Sequence, residues 1–119
     1  MADLIHSFMS YSPQAPTALS NGIPVIECQV ETIADMIAKL EKEGAKSIEA
    51  RHEAEIEWTD MIQKMGESSL LRFTPSWWNG AGIPGKKVQW MNYTAGIKTY
   101  EEQCRATIDG WKGFDVVTA

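Results

Sequence analysis

The fourteen residues TPSWWNGAGIPGKK, 74 to 87, exclude more local structures than any other part of the chain. Three glycines and two prolines rule out a continuous helix or strand, because proline lacks an N–H and glycine weakens both regular forms. Two adjacent tryptophans are too bulky for a flexible linker. The segment is therefore expected to be a preorganised loop near a small-molecule pocket. Gly80, Gly82 and Gly85 can adopt angles closed to other residues, while Pro75 and Pro84 restrict the unfolded loop. Trp77 and Trp78 are not expected to share one buried face; one anchors the loop and the other stands beside a groove, a subunit contact or a ligand. Asn79 can hold a turn or orient a carbonyl. Lys86 can remain a surface lysine or stabilise an oxyanion or phosphate. The plainest use of the whole segment is to close the core.

On either side the pattern predicts regular elements. LIHSFMSY, 4 to 11, reads as a strand, and SPQAPTALSNG after it as an irregular loop. Ile26, Val30, Ile33, Ile37 and Leu40 recur at helical spacing behind Pro24, with Gly44 as the stop. KSIEA is a short strand candidate. A second helix is expected over 51 to 65 with Ala54, Trp58, Met61, Ile62 and Met65 inward, then a strand at VQWMNY and a helix near 98 to 109. WKGFDVV supplies a terminal strand or tail. The expected fold class is α+β, a compact single domain over residues 1 to 119 with about three helices and a few short strands.

The chemistry on offer is narrow. The net charge of -5 argues against nucleic-acid and anionic-membrane surfaces, and no stretch reaches the eighteen apolar residues of a membrane span. Without a recognisable signal peptide, the expected location is cytoplasmic. Cys28 and Cys104 form no CxxC pair and read as reduced, buried thiols. His6 and His52 are the only imidazoles and HExxH is absent, so no metal site is expected. His6 is either a packed core or interface histidine or a general base beside the following loop. GAGIPG lacks the spacing of a dinucleotide fingerprint and the GK[ST] ending of a P-loop.

Four segments together carry a family resemblance. SWWNGAGIPGK (76 to 86) resembles the SWxxGANxPGK segment of Baeyer–Villiger-type flavin-containing monooxygenases, near their C-terminus. YSPQAPTALSNGIP (11 to 24) resembles their YGPQxPTxxxNGP stretch. YTAGIKTYEEQC (93 to 104) and WKGFDV (111 to 116) resemble two further patterns in the same order. Ser12, Gly82 and Lys87 depart from the family's glycine, asparagine and proline. The resemblance implies that Tyr11, Pro13, Gln14 and Asn21 lie in a flavin-side or substrate-side loop. It implies that Trp77, Trp78, Asn79 and Lys86 lie in a pocket-covering loop. Neither glycine fingerprint of that family occurs in the 119 residues. The expectation is thus a fragment without cofactor of its own.

Three functions compete on this basis. In the first, a cofactor-independent enzyme of secondary metabolism binds a hydrophobic carbonyl-bearing small molecule and catalyses cyclisation, isomerisation or a related acid/base step. His6 or Tyr11 would move a proton and Asn79 or Lys86 would stabilise an enolate oxygen, with Gln14, Asn21, Trp77, Trp78 and Tyr93 contacting the substrate. In the second, the chain is an accessory subunit completing a flavoprotein partner. In the third, it is a non-catalytic binding or structural module. A homodimer is expected under the first and third.

Overall fold

Three helices, a two-stranded sheet and two short 3₁₀ turns make up the computed structural model, which describes residues 6–17 and 19–118. The architecture is α+β, as expected. Helix α1 (Gly22–Lys42) starts where the Asn21 side chain accepts the Ile23 N–H, satisfying one donor that the first turn leaves unpaired. It ends ahead of Gly44, whose φ of 65° is the left-handed angle that favours glycine. Strand β1 (Ala45–Ala50) follows, then α2 (His52–Glu67), 3₁₀ turns at Leu70–Phe73 and Trp77–Asn79, α3 (Ile97–Ala106) and β2 (Phe114–Thr118). β1 and β2 pair antiparallel, Ile48 opposite Val116 and Ala50 opposite Phe114. No helix among the described residues is long and apolar enough to cross a membrane.

Three expectations need correction. Of the strand predicted at 4 to 11, residues 4 and 5 lie outside the described residues, and the remainder is not a strand. His6 and Tyr11 have φ of 56° and 52°, which breaks an extended backbone, and one hydrogen bond from the His6 N–H to the Ile48 carbonyl is this stretch's backbone tie to β1. VQWMNY is not a strand: two backbone bonds tie it to the segment before α1, Gln14 N–H to the Met91 carbonyl and Tyr93 N–H to the Ala15 carbonyl. Beside them the Gln63 amide accepts the Trp90 N–H at 2.8 Å and donates to the Trp90 carbonyl at 2.7 Å. α1 has the predicted period but buries another face. Val25, Cys28, Gln29, Thr32 and Met36 point inward, whereas Ile26, Val30 and Ile37 are 38%, 51% and 43% exposed. The inward face tolerates its polar residues because each is bonded. Thr32 donates to the Cys28 carbonyl one turn back, and Gln29 is held at both ends of its amide.

The core gathers around three rings. Trp58 of α2 stacks on Tyr93 at 5.8 Å between centroids, and Tyr100 of α3 meets Tyr93 edge-on at 5.3 Å. Ile62 is fully buried beside them. Trp90 lies directly against Gly66: a Cβ at that glycine would stand 2.4 Å from the indole. Gly66 thus has a packing role within α2, where its weak helix propensity alone would disfavour it. Beyond α3, the Lys39 ammonium donates to the Ile108 and Asp109 carbonyls and sits over the Trp111 ring, tying the end of α1 to the approach to β2.

Gly66→Ala is expected to destabilise the fold by about 1–3 kcal/mol, as overpacking does, despite alanine's better helix propensity. Urea denaturation checks the sign: a variant as stable as the parent would refute the contact.

Candidate functional site

The 74–87 loop holds itself in shape. Ser76 caps the short turn Trp77–Asn79 by accepting the Trp78 N–H, and Gly80 closes it at φ 72°. Buried Asn79 accepts the Ser76 and Ala81 N–H groups at 3.2 and 3.1 Å and donates to the Thr74 carbonyl at 3.2 Å. Of the two roles open to Asn79, the geometry is that of a turn-holding residue. Lys86 is exposed and runs its stem past Gly80. Trp77 and Trp78 stack on each other, centroids 3.8 Å apart, with Trp77 76% exposed and Trp78 partly covered.

Beside that pair lies an apolar recess of about 300 Å³. Tyr11, Pro13, Thr17, Trp77, Trp78 and Met91 contribute to its wall. Tyr11 is held from two sides, its N–H donating to Gln29 Oε1 at 2.7 Å and its ring lying over Gly22. Of the nine residues given a catalytic or substrate-contacting role from the sequence, the structure brings together three, Tyr11, Trp77 and Trp78, with Pro13 beside them. His6 is exposed in a turn. Asn21 is occupied as the α1 cap, and Lys86 does not line the recess. Tyr93 is a core residue, 1% exposed, with its hydroxyl donating to Gln103 at 2.7 Å. Gln14 faces the other side of the Ser12–Pro13 segment, bonded to Thr59 at 3.2 Å.

That other side is a second, half-open cavity of about 330 Å³, lined by α1, α2, α3, the sheet and the Ser7–Gln14 segment. One polar chain runs along its wall. The Gln29 amide, having accepted from Tyr11, donates to the Tyr100 hydroxyl at 2.9 Å, and Cys104 lies one turn further along α3 in the same wall. Burial pushes Cys104 up from the ordinary 9.0 to about 11 and raises Tyr100 well above the usual phenol range. Both stay protonated at neutral pH. Sequence patterning placed Tyr100 and Cys104 within the last helix and missed Gln29, which lies off the predicted α1 face.

Residues able to grip a pyrophosphate are a separate matter. Gly80–Gly85 folds as consecutive turns, with Ile83 N–H to the Gly80 carbonyl and Lys86 N–H to the Ile83 carbonyl, and leads into no helix. The start of α1 is closed by Asn21, and α2 begins with Glu53 and Glu55, which oppose an anion. Neither the Gly80–Gly85 turns nor the starts of α1 and α2 form a pyrophosphate cradle, whereas α3 starts at Gly96 with no side-chain cap and no acid in its first turn. The described residues contain no group of three or more His, Cys, Asp or Glu arranged to hold a metal.

No protein-family model matches the chain. Individual proteins do. It is 39% identical over 104 residues to a Baeyer–Villiger monooxygenase from Pseudooceanicola batsensis, covering 87% of this chain and 19% of the relative. It is 33% identical over 109 residues to cyclopentanone 1,2-monooxygenase from Comamonas sp., covering 91% and 20%. The crystal structure of cyclohexanone monooxygenase from Rhodococcus sp. Phi1 bound to NADP+ superposes with a TM-score of 0.85 at 34% identity, over 94% of this chain and 21% of that one. Two of these three names carry a cyclic ketone, and the superposition extends over 94% of this chain. The chain belongs to the Baeyer–Villiger monooxygenase family as a fragment, spanning about a fifth of the length of the relatives it matches.

The neutral Tyr100–Cys104 pair fixes a pH dependence. Their raised folded-state values mean that the unfolded chain releases these protons first, so stability is complete below about pH 9 and is lost as pH rises toward about 11. The urea midpoint should fall across that window, and Cys104→Ala should flatten the decline. An unchanged midpoint would show the thiol to be solvent-exposed.

Proposed function

We propose that residues 1 to 119 act as one domain forming the substrate-side rim of a Baeyer–Villiger-type flavin monooxygenase. The ligand is a small, hydrophobic, carbonyl-bearing molecule seated against Tyr11, Trp77 and Trp78. One observation carries this reading: Tyr11 and Trp77, 66 residues apart in sequence, meet at a single apolar recess. The names of the related proteins, which include cyclopentanone and cyclohexanone monooxygenases, support the ligand class. Redox chemistry belongs to flavoprotein residues outside this stretch, and the part of this chain is to bind and cover.

Association with that flavoprotein portion is supported by the outer face of α1. Ile23, Ile26, Val30 and Ile37 leave an apolar stripe 38–69% exposed, which isolated soluble surfaces seldom carry. A homodimer through the same stripe is the competing arrangement; sedimentation of the isolated chain tells them apart. The cofactor-independent cyclase or isomerase has weaker support, because Tyr11 lines the recess while His6, Asn79 and Lys86 do not.

Cyclopentanone added to the isolated chain should shift the indole N–H signals of Trp77 and Trp78. Trp77→Ala should weaken that binding at least about fivefold, the scale of one lost aromatic contact. Undisturbed indoles at saturating ketone would end this reading, and ketone turnover without flavin would restore the acid/base one.

A further inference from the structure

Tyr11 stands in the recess wall with a backbone that tyrosine does not adopt unaided. Its φ of 52° lies in the left-handed region, where a residue with a Cβ is crowded and glycine is not. Two contacts compensate, and both come from α1. The Tyr11 ring lies over Gly22, where an added Cβ would stand 3.2 Å from it. The Tyr11 N–H donates to Gln29 Oε1 at 2.7 Å. Gln29 can hold that bond because its own amide is fixed: it is buried, and its Nε2 donates to the Tyr100 hydroxyl at 2.9 Å. Turning the amide over would set Nε2 against an N–H that can only donate. Between the backbone ties at His6 and Gln14, Gln29 supplies the hydrogen bond that anchors the segment to the rest of the fold. Gln29 itself is absent from the recess wall.

We infer that Gln29 is a positioning residue for ligand binding at the recess: its buried amide holds the Tyr11 backbone left-handed and so sets the wall that faces Trp77 and Trp78. The inference rests on the ketone reading of that recess and adds a determinant that never touches the ligand. The two walls differ in how they are held. The tryptophan side is fixed locally by the Asn79 bonds. The Tyr11 side depends on a helix residue eighteen positions away. Without the Gln29 oxygen, the Tyr11 N–H loses its acceptor and the left-handed angle loses its compensation, so the backbone relaxes to negative φ and carries the ring out of the wall. Ligand affinity at the recess is thereby made to depend on a side chain packed against Tyr100 in the core.

Gln29→Met, close in length and volume but without the oxygen, tests this by NMR on the whole chain. Gln29→Glu keeps an oxygen for the Tyr11 N–H and serves as the rescue, since the Tyr100 hydroxyl can turn to donate to its second oxygen. The three-bond HN–Hα coupling of Tyr11 reports φ, and the indole signals of Trp77 and Trp78 report cyclopentanone binding. Gln29→Met should change the coupling and weaken cyclopentanone binding at least about threefold, the scale of one lost hydrogen bond, and Gln29→Glu should restore both. In a Tyr11→Gly background, which removes the ring and accepts the left-handed angle, Gln29→Met should change affinity no further. A general packing defect would lower affinity in both backgrounds. On the unaltered chain the Tyr11 amide should be protected from hydrogen exchange, a measurement that stands even where a variant folds poorly. A freely exchanging Tyr11 amide, a Gln29→Met chain that binds as the parent does, a loss that persists in the Tyr11→Gly background, or a loss that Gln29→Glu leaves unrepaired would each overturn this inference alone. A parent chain whose indoles ignore the ketone would end the ketone reading and this inference with it.

Discussion

Everything in this fold leans on the contact among Trp58, Tyr93 and Tyr100. Each ring comes from a different part of the chain: α2, the extended segment ahead of α3, and α3 itself. With a sheet of two short strands there is little backbone pairing to organise the molecule, so side-chain packing sets the relative positions of the helices. Tyr100 does this twice. Its ring completes the aromatic cluster, and its hydroxyl accepts from Gln29 on α1. A buried amide then passes the connection to the backbone of Tyr11. Core and candidate recess are thereby joined through Gln29, and again where Thr17 of the recess wall donates to buried Asn92.

This coupling explains why α1 presents the face it does. Both of its stripes follow helical spacing, and on hydrophobicity alone the isoleucine-rich one is the natural choice for burial. The face actually inward contains Gln29 and Thr32, polar groups whose burial is acceptable only because each has a bonded partner. The isoleucine stripe is then left outward. In a chain that spans a fifth of its relatives, that is the expected appearance of a helix with two interiors to serve.

What could be read from the residues followed from how local each determinant is. α2, β1, β2 and the loop character of 74–87 were legible, since periodicity, glycine and proline act over a few neighbours. The same holds for the family, whose four motifs lie in order along the chain. The missed features depend on distant partners. VQWMNY alternates like a strand, but its backbone is served by isolated bonds to Gln14 and Ala15 and by the Gln63 side chain, 27 positions away from Trp90. Tyr93 has the composition of a ligand contact and the surroundings of a core residue. At the site, Tyr11, Trp77 and Trp78 could be nominated by type and by resemblance, whereas Gln29 could be recognised only once Tyr11 and Tyr100 were seen on either side of it.

The hydrogen bonds of Asn79 have an evolutionary corollary. They run to Thr74, Ser76 and Ala81, all within five positions, so the segment's conformation is encoded almost entirely by itself. Its outward residues, Trp77 among them, can change without asking the hydrophobic interior to repack. Ligand preference and thermodynamic robustness can therefore drift separately in descendants of this sequence, and a swapped rim can be inherited as a cassette.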